Sequence, residues 1–203
     1  MKFEYAPGAT PLDQDEIAGL IPSHITIQGE LNEWESANIL KANNWLFSTS
    51  SHGNFLTINF LKLIHRKMFS DTWTWAGEFR STEKSIGVAP FNITTELKKL
   101  LDDIEYQIKN NPPNDDTAKY NRQLDEIAYV FHHRLVTIHP FPNGNGRHSR
   151  LMTDLLLVQA GRPRFSWGEK NLTTVSPTRE QYIKALRNAD KRDYSELAAF
   201  VRS

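Results

Sequence analysis

Two apolar runs with helical spacing, separated by a short stretch that no helix can cross, constrain this chain more than any other feature. Leu124, Ile127, Ala128, Phe131, Leu135 and Ile138 fall on one face of a 3.6-residue repeat and predict a long buried helix running into His139. Pro140 and Pro142 forbid its continuation, because proline lacks the amide hydrogen and its ring clashes with the preceding turn. Leu151, Leu155 and Val158, with Met152 and Leu156 beside them, predict a second buried helix closed by Gly161 and Pro163. A tight loop rich in glycine and asparagine joins the two.

The flanking segments predict more helices. Residues 1–24, with Pro7, Gly8, Pro11 and Pro22, read as an irregular arm carrying at most a short helix near Glu16 to Leu20. Helices are expected from about Leu31 to Phe47, from a cap at Asn54 to before Asp71, and from a cap at Asn92 to Pro112 and Pro113. Two more follow through Tyr182, Ile183 and Leu186 and through Leu197, Phe200 and Val201. The stretch TWTWAGEFRSTEKSIGVAPF differs in kind: β-branched and aromatic residues broken by Gly77, Gly87 and Pro90 predict a short hairpin or flap. The fold class is therefore all-α, a helical bundle with one small β element.

Composition narrows the partners. Twenty-four basic residues balance twenty-four acidic ones, so there is no global field for nucleic acid or an anionic membrane, and any bound phosphate needs a local site. Cysteine is absent, which excludes disulfides and thiolate chemistry and fits a reducing cytoplasm. No apolar run approaches the roughly 20 residues of a membrane helix, and the 203 residues are enough for one self-sufficient core. A single globular, cytoplasmic unit is expected.

The loop His139-Pro-Phe-Pro-Asn-Gly-Asn-Gly-Arg-His-Ser-Arg150 carries the chemistry. Gly144, Asn145 and Gly146 tolerate positive φ, so successive N–H groups can form an anion-holding nest at a helix N-terminus. Arg147 and Arg150, three apart on the following helix, can reach the same anion with forked hydrogen bonds. His139 is a candidate base near neutral pH, and Phe141 a core anchor for the loop. Each element alone has a bland explanation: a turn, a solvated helix face, a structural histidine. Their conjunction at a helix–loop–helix boundary favours an anion site. His132 and His133 lack metal-ligand spacing and read as structural, His148 as facing solvent or a nucleotide edge. Trp73 and Trp75 should pack the flap base, and Lys84 should be solvated or touch a target or nucleotide.

The segment resembles the Fic family signature, His-x-Phe-x-(Asp/Glu)-Gly-Asn-Gly-Arg-x-x-Arg, at every specified position but one. The resemblance extends back through LVTIHPF and WAGEFRS and forward through YIKALRNADKRDYSELAAFV, over roughly residues 55–203, leaving residues 1–54 as an N-terminal arm and helix packed on the Fic domain. Within the family the chain most resembles the small Fic/Doc-type proteins labelled mobile mystery protein B.

The resemblance implies a protein adenylyltransferase, toxin-like in character, that moves AMP from ATP to a Ser, Thr or Tyr hydroxyl of a target protein. His139 would deprotonate that hydroxyl. Gly144, Asn145, Gly146 and Arg147 would hold the phosphates and Arg150 the γ-phosphate. The flap residues Thr82, Glu83, Lys84, Ser85, Ile86, Gly87 and Val88 would pin the target by backbone pairing. A phosphotransferase of the Doc type and a catalytically weak nucleotide-binding module are the alternatives. Asn143 stands where the family has a magnesium-binding Asp or Glu, so Mg²⁺ would be held by a neutral amide, with Mn²⁺ as the substitute. No stretch matches the inhibitory pattern (Ser/Thr)-x-x-x-Glu-(Gly/Asn), the nearest being Thr26 to Glu30 followed by Leu31, Ser176 to Glu180 followed by Gln181, and Ile27-Gln28-Gly29, where glutamine stands for glutamate. Restraint, if any, would come from a separate antitoxin-like partner.

Overall fold

A computed structural model describes residues 10–48, 52–113, 115–169, 172 and 175–203; Pro7 and Gly8 of the arm lie outside them. Eight α-helices are described: α1 (Gln14–Ile17), α2 (Gln28–Ser48), α3 (Ile58–Phe69), α4 (Ile93–Lys109), α5 (Thr117–Ile138), α6 (Asn145–Gln159), α7 (Pro177–Ala189) and α8 (Ser195–Val201). The apolar faces of α4, α5 and α6 meet in the core, where Leu97, Leu100, Ile104, Phe131, Leu135, Met152 and Leu157 are inaccessible to water. α2 packs on α3, and α7 on α8. This layering sets the loop between α5 and α6 at one end of the bundle, beneath the segment that follows α3.

Helix boundaries follow local chemistry. Thr57, not Asn54, caps α3: its hydroxyl accepts the Phe60 N–H at 3.2 Å, while Asn54 accepts the Leu56 N–H just outside. Asn92 makes no side-chain cap, and α4 is entered instead through a 3-10 turn, Pro90–Asn92. Glu30 closes the start of α2 by accepting the Thr26 and Ile27 N–H groups, so the first of the stretches nearest the inhibitory pattern is a helix cap.

The expected hairpin is not a paired ladder. Among the described residues no strand is present, and the one β-bridge joins Leu20 to Trp73. The flap, residues 78–89, is an open loop whose two ends are held by the side chain of its own Arg80 and by carbonyls of the α5–α6 connection, as described below. Its base is packed as expected, with Trp73 stacked on Trp75 at 4.9 Å between centroids. The Trp73 indole donates to Glu35 and the Trp75 indole to the Glu16 carbonyl.

Candidate active site

His139 terminates α5 in the left-handed region, φ 53° and ψ 60°, a conformation disfavoured for a residue with a Cβ. The residue is 6% exposed; neither Nδ1 nor Nε2 has a side-chain partner, and the Val136 carbonyl, one turn back, is the backbone acceptor close enough to act on the ring. Burial, with the cations Arg80 and Lys84 beside it, lowers its pKa to about 4, so the ring is neutral at pH 7 and has a lone pair to offer.

Phe141 is wholly buried, with its ring stacked on His65 at 3.7 Å and edge-on to His148 at 5.0 Å. His65 is fixed as a tautomer. The Gly77 N–H donates to its Nδ1, so its Nε2–H donates to the Asn143 carbonyl at 3.0 Å. His148 is also fully buried and hydrogen-bonded to the Leu61 carbonyl through Nε2. The expectation that it faces solvent or a nucleotide fails, because α6 is buried broadly and position 148 points at α3.

The loop then turns at Gly144, where φ is 77° and a Cβ would come within 2.5 Å of the Phe69 ring. Asn145 and Gly146 are already helical, so the left-handed turn belongs to Gly144 alone within that trio. The Asn145 side chain faces inward, exchanging two hydrogen bonds with the Phe141 peptide at 2.9 and 2.7 Å. Gly144 and Asn145 are buried and Gly146 half-buried; the first N–H groups of α6 have no side-chain cap and lie where a helix leaves donors unsatisfied.

The two motif arginines are held differently. Arg147 pairs with Glu35 of α2 at 2.6 Å, lies over the Phe69 ring and donates to the Asn143 side chain at 3.3 Å. Arg150 lies over the Tyr182 ring of α7. Both come close enough to Arg179 to lower its pKa, after burial itself, so the mouth of the loop carries concentrated positive charge. Glu35, Arg80, His65 and Tyr182 escape local sequence reading because their partners lie far along the chain. Glu35 and Arg147, for example, are separated by 112 positions.

The donor set does not fit a protein-held divalent cation. The Asn143 side-chain oxygen already accepts the Gly144 N–H and an Arg147 N–H, so a guanidinium faces the atom expected to ligate metal. No group of three His, Asp, Glu or Cys is gathered for metal binding among the described residues.

The flap residues split in two. Ser85 and Ile86 are exposed, whereas the Lys84 side chain is 3% exposed and held by Asp13 at 2.8 Å and Glu16 at 2.6 Å from the α1 region. Thr82 donates to Asp13 as well. Lys84 is thus neither solvated nor free for a ligand. His133, read as structural, bonds Tyr194 and Asp190.

The Fic/DOC family model matches residues 55–157. The chain belongs to the Fic/DOC family. It is 29% identical over 133 residues, 63% of this chain, to protein adenylyltransferase fic-1 of Caenorhabditis elegans. It is 28% identical over 151 residues, 73% of this chain, to protein adenylyltransferase Fic of Culex quinquefasciatus. It spans 22% and 27% of those two proteins' lengths. The Fic fold is shared with Fic-1 (residues 134–508) of C. elegans, with a TM-score of 0.65, 24% identity and coverage of 91% of this chain and 51% of that one. It is shared also with Bartonella tribocorum BepC bound to AMPPNP, with a TM-score of 0.67, 19% identity and coverage of 94% and 97%. The Fic domain of a Bartonella quintana effector with bound ADP gives 0.66, 19%, and 89% and 86%. The family match carries no subdivision, so the likeness to mobile mystery protein B stays a resemblance.

Proposed function

We propose that this Fic protein is an adenylyltransferase that uses ATP to place AMP on a hydroxyl of another protein. One observation carries the reading: a neutral histidine ring with no side-chain hydrogen-bond partner ends one buried helix, and an N-terminus without a side-chain cap, flanked by Arg147 and Arg150, opens the next. A proton acceptor and a triphosphate cradle then share one loop. The relatives named as adenylyltransferases and the AMPPNP- and ADP-bound neighbours support the choice of nucleotide.

In this reading the α6 N–H groups and Arg150 hold the phosphates and neutralise their charge. His139 takes the proton of the target hydroxyl as its oxygen attacks the α-phosphorus. The bond from the α-phosphorus to the bridging oxygen breaks, and pyrophosphate leaves with the electron pair. The tetra-anionic nucleotide opposes the local cations and raises the histidine's pKa from its unliganded value, which brings the base closer to working pH. Positioning and charge supply most of the acceleration, since the protein forms no covalent bond. A metal arriving with ATP would add charge neutralisation. The protein-side steps do not depend on its being held by Asn143.

Transfer assays with ATP labelled at the α- or γ-phosphate, in a cell lysate, separate the readings. Retained α-label supports adenylylation, γ-label alone supports phosphorylation, and neither supports a binding module. His139→Ala should abolish α-label transfer and leave the calorimetric ATP affinity within about two-fold of wild type. Full transfer by that variant would remove the histidine from the mechanism.

A further inference from the structure

Arg80 is the most connected buried side chain near His139. It is 3% exposed, and its guanidinium donates from Nε to the His139 carbonyl at 2.7 Å, from Nη1 to the Thr82 carbonyl at 2.8 Å, and from Nη2 to the Val88 carbonyl. The same residue's backbone N–H donates to the Pro140 carbonyl at 3.0 Å, and the Val88 N–H to the Ile138 carbonyl at 3.3 Å. The Arg80 side chain therefore joins both ends of the flap to the histidine's own carbonyl, while backbone N–H groups of Arg80 and Val88 hold the carbonyls on its two flanks. The packing is close: a Cβ on Gly87 would come within 2.6 Å of the Arg80 Nη2 and 2.8 Å of the His139 Cβ.

The partners of this cation are neutral. Arg80 gives its hydrogen bonds to carbonyls, with Glu83 and Glu16 acting on it only through space. Lys84, the other cation near His139, is neutralised directly by Asp13 and Glu16. The net positive charge facing the imidazole is accordingly Arg80. Three forked donors aimed at three carbonyls also demand guanidinium geometry, which an ammonium cannot reproduce.

We propose that Arg80 is a positioning residue for His139: by binding the carbonyls of His139, Thr82 and Val88 at once, it locks the histidine's left-handed turn and the target-docking flap into one unit. The proposal rests on His139 as the proton acceptor of the adenylyl transfer. Charge and geometry are separable contributions, since Arg80→Lys keeps the first and loses most of the second, while Arg80→Met loses both.

The test is a histidine-labelled NMR titration of the full chain without nucleotide, with the His139 signal identified by its loss in His139→Ala and amide exchange measured at Val88. In Arg80→Met the His139 midpoint should rise from about 4 by about half a unit or more, and the Val88 amide should exchange about ten-fold faster. In Arg80→Lys the midpoint should stay low while exchange still accelerates. An unchanged midpoint in Arg80→Met, or unchanged exchange in both variants, overturns the proposal. If Arg80→Met does not fold, exchange in Arg80→Lys decides. Should the wild type transfer no AMP to any target, the adenylyltransferase reading fails, and the titration still reports on Arg80.

Discussion

Phe141 packs against three other rings, and that sets what its removal should cost. His65 stacks on one face, His148 meets it edge-on and Phe79 stands 5.5 Å away. Truncation leaves a cavity that two hydrogen-bonded histidines cannot collapse into. Phe141→Ala should therefore destabilise the fold by about 3–5 kcal/mol, read as a lowered midpoint in urea; an unchanged midpoint would mean that the loop is held by Asn145 alone. The anchor was legible from its place between two ligand-facing positions. What it anchors to was not, because His65 contributes through the Asn143 carbonyl, 78 positions away. His148 misled for a related reason: a polar residue inside a motif suggests a ligand, but here its Nε2 serves a backbone carbonyl of α3.

At the scale of elements, α2 is joined to the loop through Glu35, which accepts from the Trp73 indole at 2.7 Å and from Arg147 at 2.6 Å. Glu35→Ala removes the carboxylate that the Arg147 guanidinium and the Trp73 indole share, leaving Arg147 with the Asn143 side chain. Because Arg147 retains 18% side-chain exposure, the expected loss is about 2–3 kcal/mol, below the range for wholly buried pairs. Thermal unfolding of the variant checks this, and Glu35→Gln, which still accepts from Trp73, should lose less. The helices themselves were readable because apolar spacing and prolines act locally. The flap was not, since its β-branched pattern predicts mutual pairing, whereas its ends are held by the Arg80 guanidinium and the carbonyls of Ile138 and Pro140. The Lys84 clamp likewise depends on an arm whose proline-rich sequence shows no partner.

Across the whole molecule, burial has collected histidines in neutral form. His65, His132, His139 and His148 all have depressed pKa values, with burial as the leading cause. Unfolding returns them to near 6.5, so between that value and about 4 the unfolded chain binds more protons and stability falls as pH falls. Asp154 acts oppositely: burial raises it to about 6, so the folded state gains a proton below that pH. Four groups outweigh one, and the urea midpoint should be lower at pH 5 than at pH 7, with a steepest slope of roughly 4 kcal/mol per pH unit for three net protons. Equal midpoints would show that the buried rings accept protons without loss. The bundle architecture was legible almost throughout, and the loop's residue types were too. The division of labour within the loop was not: Asn145 turns inward onto the Phe141 peptide four residues back, a geometry that residue types alone leave open, and Arg147 is tied to Glu35 by a tertiary contact that no local pattern encodes.

The seclusion of His139 under Gly87 has one more consequence on the adenylyltransferase reading. A base that water scarcely reaches activates water poorly, so ATP resting in the loop should keep its phosphoanhydride bonds until a protein segment docks against the flap and brings its own hydroxyl. Idle hydrolysis, read as phosphate or AMP release without a target, should then be slow, and choosing a flap-docked protein hydroxyl over solvent would be a property of one buried lone pair.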